Sequence, residues 1–86
     1  MKSECKIDAD GTKRWYLNGK RHREDGPAIE YADGHKEWWL NGKRHRIDSP
    51  AIEYSSGSKC WYLNNQRIEC STQQEFEQLM RLKAFW

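Results

Sequence analysis

Two histidines, two glutamates and two cysteines stand at spacings in this chain that could do chemistry. His22 and His45 occupy the same place in the twice-written run Lys-Arg-His-Arg, and paired histidines begin many metal centres. Two strand spacings of ~4.8 Å would set them ~10 Å apart, whereas two ligands on one zinc each need an N–Zn distance of ~2.1 Å. The spacing argues against a shared metal and for rings packed beside Trp15 and Trp38. Glu30 and Glu37 flank Asp33-Gly34, and a two-residue turn there would hold their carboxylates ~5 Å apart, a glycosidase separation. The next copy carries Cys60 where Glu37 stands, and no pocket is foreseen to exclude water. The acids read instead as partners of Arg14 and the repeat arginines in cross-strand ion pairs.

Cys60 and Cys70 could form a disulfide only if they faced one another. A two-residue loop at Asn64-Asn65 puts Cys60 opposite Glu69 and turns Cys70 to the other side. With Cys5 they read as three structural thiols in a reducing compartment. No phosphate-cradling loop, Cys-x-x-Cys pair or nucleophile elbow is written in the sequence. The expectation is a protein that is not an enzyme, with no catalytic residue, no metal and no cofactor.

The elements that must position these residues come from a repeat. Asp10–Ala32 is written again as Asp33–Ser55, and a truncated third copy begins at Ser56. Trp15, Trp38 and Trp61 mark a period of 23 residues. Such self-similarity signals units that stack on their neighbours. In each copy Asp-Gly or Ser-Gly opens an aromatic strand and Asn-Gly or Asn-Asn closes it, both being hairpin signals. Three strands per copy would reverse chain direction from one copy to the next, so two are expected. The second runs from about 20 to 32 with a break at Glu24-Asp25-Gly26-Pro27.

The Asn-Gly turn sets His22 opposite Trp15. A two-residue Asp33-Gly34 turn would set Ile29 opposite Trp38 and Ile52 opposite Trp61. These assignments differ in parity, so the reading adds a one-residue β-bulge at the Gly-Pro break. One face then collects Trp15, Leu17, Ile29, Tyr31, Trp38, Leu40, Ile52, Tyr54, Trp61 and Leu63 as a core. The other presents Tyr16, Trp39 and Tyr62 with Arg21, Arg23, Arg44 and Arg46.

The period changes after the third copy. Thr72-Gln-Gln-Glu75 has capping-box form, and Phe76, Leu79, Met80, Leu82, Phe85 and Trp86 follow at helical spacing. A helix over 72–85 is expected to cover the apolar side of the sheet. The predicted architecture is one α+β domain over 1–86: an N-terminal edge strand (2–9), an antiparallel β-meander of repeats (10–32, 33–55, partial 56–70) and a C-terminal α-helix.

With 86 residues, 33% charged, 36% hydrophobic and 13% aromatic, the chain is a small folded domain rather than a disordered one. A net charge of +2 does not mark an electrostatic nucleic-acid binder. The N-terminus lacks the apolar core of a signal peptide and no apolar run is long enough to span a bilayer, so a cytoplasmic location is expected.

The pattern Gly-x-x-x-x-Trp/Tyr-x-Asn-Gly-Lys, with a later Gly and a Tyr-x-Asp-Gly close, resembles the MORN (membrane occupation and recognition nexus) repeat. The resemblance covers Asp10 to about Asn65. It rests on Trp15/Tyr16, Asn18-Gly19-Lys20, Gly26, Tyr31-x-Asp33-Gly34 and their second-copy equivalents. The chain departs from the pattern at Ser49 and Asn65, which calls a regular third turn into question. The wording Trp-Tyr-Leu-Asn-Gly-Lys-x-His-Arg-x-Asp-Gly-Pro-Ala looks like a variant in small proteins of bacteriophages and large DNA viruses.

The resemblance implies a β-hairpin meander doing scaffold and interaction work. It also implies a phage-encoded chain that binds, and inhibits or redirects, a host protein such as a defence factor in the host cytoplasm. Trp, Tyr and Arg are the residues enriched at binding hot spots, which names Tyr16, Trp39, Tyr62, Arg21, Arg23, Arg44 and Arg46 as partner-binding. The alternative is an RNA- or DNA-binding module in which the same aromatics stack on bases. Interspersed acids disfavour it. Membrane binding is disfavoured as well, and exposed sheet edges leave a homo-oligomer open.

Overall fold

The computed structural model describes residues 3–83. In chain order the strands are β1 (Glu4–Ile7), β2 (Lys13–Leu17), β3 (Lys20–Arg21), β4 (Ile29–Glu30), β5 (Lys36–Glu37), β6 (Trp39–Leu40), β7 (Lys43–Arg44), β8 (Ile52–Glu53), β9 (Lys59–Leu63) and β10 (Gln66–Ile68). One helix, α1 (Gln73–Lys83), follows. All strand pairs are antiparallel, so the chain is a meander-like sheet with a C-terminal helix, an α+β fold. Lys2, Phe85 and Trp86, assigned from sequence to the edge strand and to the apolar stripe, lie outside the described residues.

Two kinds of turn set the register. At the Asn turns two successive residues have positive φ: Asn18 and Gly19 at 52° and 77°, Asn41 and Gly42 at 51° and 78°. That is the two-residue turn whose twist suits a hairpin, and it pairs Leu17 with Lys20 and Leu40 with Lys43. The third turn is regular despite losing its glycine. Asn64 and Asn65 take φ of 49° and 71°, and Leu63 still faces Gln66. Asparagine tolerates this conformation, though less readily than glycine. Asn65→Gly should therefore raise stability by about 0.5–1 kcal/mol, read as a higher urea midpoint; an unchanged or lower midpoint would show that Asn65 is not strained.

At the Asp-Gly turns only the glycine is left-handed, with Gly34 at 97° and Asp33 absent from the positive-φ residues. Tyr31 N donates to His35 O (2.8 Å) and Gly34 N to Tyr31 O (3.0 Å). The loop has three residues, Ala32-Asp33-Gly34, closed by a left-handed glycine. Asp33 Oδ1 steadies it by accepting from His35 N (3.0 Å). The same loop forms at Gly11 and Gly57.

The extra residue corrects the expected register. Ile29 faces Glu37 and Ile52 faces Cys60, not Trp38 and Trp61. Glu30 faces Lys36, so Glu30 and Glu37 are not a cross-strand pair. No parity conflict remains for a one-residue bulge to resolve. Trp15 O accepts from His22 N (3.0 Å) while Trp15 N donates to Ala28 O (2.8 Å), and Arg23 N still donates to Trp39 O (3.1 Å), so the residues that leave the ladder are 24–27. Thus β3 and β4 are two pieces of one strand along β2, and each copy is the two-stranded unit anticipated, the break at 24–27 being a whole excursion rather than a one-residue bulge.

Pro27 cannot donate to a ladder, and Arg23 ties the excursion shut. Its guanidinium donates to Asp25 Oδ1 (3.0 Å) and Pro27 O (3.2 Å) and lies 3.9 Å from the Trp15 ring centroid. Arg46 repeats this with Asp48 (3.2 Å), Pro50 O (3.1 Å) and Trp38 (3.8 Å).

Directly opposed residues share a face, which sorts the side chains. The first face carries the row Trp15–Ala28–Trp38–Ala51–Trp61, extended from the pairs Arg14–Ile29, Ile29–Glu37, Glu37–Ile52 and Ile52–Cys60. Ala28 and Ala51 are fully buried because each lies between two tryptophans. Beside it runs the alternating row Lys13–Glu30–Lys36–Glu53–Lys59, each opposite-charge pair worth roughly 0.2–1 kcal/mol. The second face carries Arg14–Ile29–Glu37–Ile52–Cys60. Ile29, Tyr31, Ile52 and Tyr54 therefore lie away from the tryptophans with which they were grouped from sequence.

The helix begins where a third excursion would. Thr72 Oγ1 accepts from Glu75 N (3.1 Å), and the Glu75 carboxylate accepts in return from Ser71 N (3.3 Å), so the capping box forms, its return bond reaching one residue further back. Phe76 is buried and Met80 half-buried, but Leu79 and Leu82 are 36% and 58% exposed. The helix does not blanket the sheet. It plugs one site: Gln73 Oε1 accepts from Trp61 Nε1 (2.8 Å) and Gln73 Nε2 donates to Ile47 O (3.0 Å).

Candidate functional site

The repeat is least regular on its second face, in the middle copy. His35, Glu37 and Trp39 replace Thr12, Arg14 and Tyr16 of the first copy and Ser58, Cys60 and Tyr62 of the third. These are alternate residues of one extended segment, β5 into β6, so all three project to one side. Glu37 is buried between Ile29 and Ile52, where a carboxylate needs donors. It has three: His35 Nε2 at 2.9 Å, Trp39 Nε1 at 2.9 Å and Arg44 Nε at 3.0 Å. A carboxylate only accepts, so Nε2 is the protonated nitrogen of His35. Burial pushes the Glu37 carboxyl upward, but the bonds from His35, Arg44 and Trp39 and the Arg44 charge outweigh it and hold Glu37 below the usual glutamate range. The His35 ring sits between Tyr31 and Tyr54, each centroid 4.7 Å away.

Glu37 thereby fixes the centre of a ladder. Tyr16 pairs with Arg21 and Trp39 with Arg44 across the Asn turns. Between copies, Arg21 lies 5.1 Å from the Trp39 ring, and Arg44 lies 4.9 Å from Trp39 and 5.4 Å from Tyr62. Lys6 over Tyr16 at 5.5 Å and Arg67 opposite Tyr62 extend the row. Aromatic rings and cations alternate at distances suited to cation–π attraction, and Tyr16, Arg21, Trp39, Arg44 and Tyr62 are all half-buried, with part of each side chain open to solvent.

The structure brings together five of the seven residues named from sequence and separates two. Arg23 and Arg46 stack on Trp15 and Trp38 of the opposite face, where they close the excursions. They are loop staples. Arg44 is also committed, to Glu37. Arg21 differs: among the described residues it forms no ion pair with a carboxylate, and its buried Nε has no hydrogen-bond partner. Glu37 and His35 were missed as site residues. Their signal was available, since copy-to-copy departures fall on alternate positions of one strand.

The histidines of the Lys-Arg-His-Arg runs join neighbouring copies. His22 Nδ1 accepts from Asn41 N, and His45 Nδ1 from Asn64 N, each at 2.9 Å. Each ring replaces a backbone acceptor between hairpins and must carry its proton on Nε2; that of His22 lies 3.4 Å from Glu24. His22 is 6% exposed while His45 is half-buried. His22→Ala should therefore cost about 1–2 kcal/mol and His45→Ala less, because water reaches the amide it abandons. Equal costs in urea unfolding would contradict this clasp.

The three cysteines are free, with Cys5 exposed rather than packed as a small hydrophobe and Cys60 and Cys70 half-buried. Burial pushes the Cys70 thiol up, and the charges of Glu75 and Glu69 add to the effect, away from a reactive thiolate. Among the described residues no three His, Cys, Asp or Glu side chains are grouped as metal ligands would be, and no helix is long and apolar enough to cross a membrane. No protein-family model, curated protein or solved structure matches the chain.

Proposed function

We propose that the chain is a non-enzymatic protein-binding module whose contact surface is the Tyr16–Arg21–Trp39–Arg44–Tyr62 ladder. The carrying observation is the ladder: a solvent-accessible row of aromatic rings and arginines, held in place by the buried Glu37. Such rings bring contact area with little conformational freedom left to lose, and Trp, Tyr and Arg dominate the energetics of protein interfaces. The charge pairing supports a protein partner over a nucleic acid. Of the four arginines in the Lys-Arg-His-Arg runs, Arg23, Arg44 and Arg46 each lie against a carboxylate within the chain, which leaves Arg21 to meet phosphates. The MORN-like resemblance is consistent with a scaffold of this kind, and a host-defence target rests on that resemblance alone.

Capture from a bacterial lysate on the immobilised protein tests the reading. Tyr16→Ala and Arg21→Glu leave the three donors to Glu37 intact, so loss of the captured protein in both variants would support the ladder. Capture retained in both, or lost only on nuclease treatment, would reject it.

A further inference from the structure

The molecule fills one cleft between copies with its own helix and leaves the preceding cleft open. The filled cleft lies between the Arg46–Asp48 excursion and Trp61. There the Gln73 carboxamide bridges the walls, accepting from the Trp61 indole and donating to the Ile47 carbonyl, and Phe76 is buried three residues on. Stepping back one period of 23 residues, Trp61 becomes Trp38 and Ile47 becomes Glu24. These two residues line a cleft of about 470 Å³ between the Arg23–Gly26 and Arg46–Asp48 excursions. Among the described residues neither the Trp38 indole N–H nor the Glu24 carbonyl has a hydrogen-bond partner.

We propose that this open cleft docks the first turn of a partner protein's helix that bears a glutamine and, three residues later, a phenylalanine. The insertion copies that of Gln73 one repeat on, with the phenylalanine placed as the buried Phe76 is on α1. A carboxamide fits because its one head both donates and accepts, which is what an indole N–H facing a carbonyl requires. The volume falls in the range of ligand-binding clefts and has room for a glutamine and a phenylalanine side chain together, and Ile47, 62% exposed on the rim, offers apolar contact. The charges agree as well. Arg23 and Arg46 are held by Asp25 and Asp48, which leaves Glu24 at the wall, and a helix N-terminus presents partial positive charge. The chain's own α1 is spent in the second cleft, so a second copy does not supply the occupant without vacating it. This surface is on the tryptophan face and is independent of the ladder.

The test titrates the full-length protein with a helix-stapled peptide of residues 71–83, the staple placed away from Gln73 and Phe76, and follows the tryptophan indole N–H signals by NMR. Saturable movement of the Trp38 signal is expected, weakened about tenfold when the peptide's glutamine is replaced by alanine, the loss of one well-made hydrogen-bond pair. Trp38→Phe, which keeps the ring beneath Arg46 and is followed through the backbone amide signals of Gly26 and Ile47 in the cleft wall, should weaken binding similarly. Because the peptide substitution leaves the protein untouched, the test stands even if Trp38→Phe fails to fold. An unmoved Trp38 signal at millimolar peptide would overturn the proposal, and so would movement confined to Trp61, which marks exchange with the chain's own helix. A Trp38 signal that shifts on dilution of the protein alone, with self-association in sedimentation, would also overturn it by making a second copy the occupant.

Discussion

Glu37→Leu is expected to destabilise the fold by about 2–4 kcal/mol at neutral pH, the largest polar effect in the chain. Breaking a buried pair strands the partner's charge, and the usual cost is ~3–5 kcal/mol. Here it is reduced because the Arg44 side chain is 34% exposed and recovers part of its hydration. Three donors, His35 Nε2, Trp39 Nε1 and Arg44 Nε, lose their acceptor together. Acid should act in the same direction. The folded carboxyl sits below its unfolded value of ~4.3, so its contribution is present above that pH and is lost as pH falls through the lower folded value. Urea midpoints of wild type and Glu37→Gln should therefore converge as pH drops from neutrality to below ~4. A gap that stays constant down to acid pH would mean that Glu37 is not held ionised by its neighbours.

Phe76→Ala should cost about 3–5 kcal/mol, lowering the melting temperature by on the order of 15 °C in a domain of this size. Phe76 is 1% exposed and comes from the same helical turn as Gln73, so its loss frees the plug over Trp61, itself only 3% exposed. Leu79→Ala and Leu82→Ala should stay within ~0.5 kcal/mol, since both side chains already face solvent. Thermal unfolding followed by near-ultraviolet circular dichroism reads the helix plug and the Trp61 environment together. A Phe76→Ala protein within 1 kcal/mol of wild type would contradict the plug.

The sequence carried the scale of this fold and missed one residue of its register. Trp15, Trp38 and Trp61 announce the period, and Asn-Gly names its turn because two left-handed residues in succession admit little else. Asp-Gly is ambiguous, occurring both in two-residue turns and in three-residue loops closed by a left-handed glycine. Choosing the shorter turn slipped the pairing by one and, in a structure of period two, moved Ile29, Tyr31, Ile52 and Tyr54 to the wrong side. A compensating bulge then concealed the slip. Trp39 and Tyr62 came out on the correct side because they depend on the Asn turns alone. Arg23 and Arg46 were misplaced because nothing in the run Lys-Arg-His-Arg shows that the last arginine, at the edge of the excursion, turns its side chain back over the tryptophan face. The Glu37 cluster was readable only as a departure from the repeat, in residues whose meaning depends on three strands meeting.

The central claim, that a protein meets the ladder, is tested most directly by photo-crosslinking. Benzoylphenylalanine placed at Tyr16, on the ladder, and at Lys13, exposed on the opposite face, is irradiated in bacterial lysate, and the adducts are resolved by nuclease and protease treatment. A protease-sensitive, nuclease-resistant adduct from position 16, and no adduct of that same protein from position 13, is the predicted result. The same protein crosslinked equally from position 13, or an adduct from position 16 that nuclease removes, would contradict it.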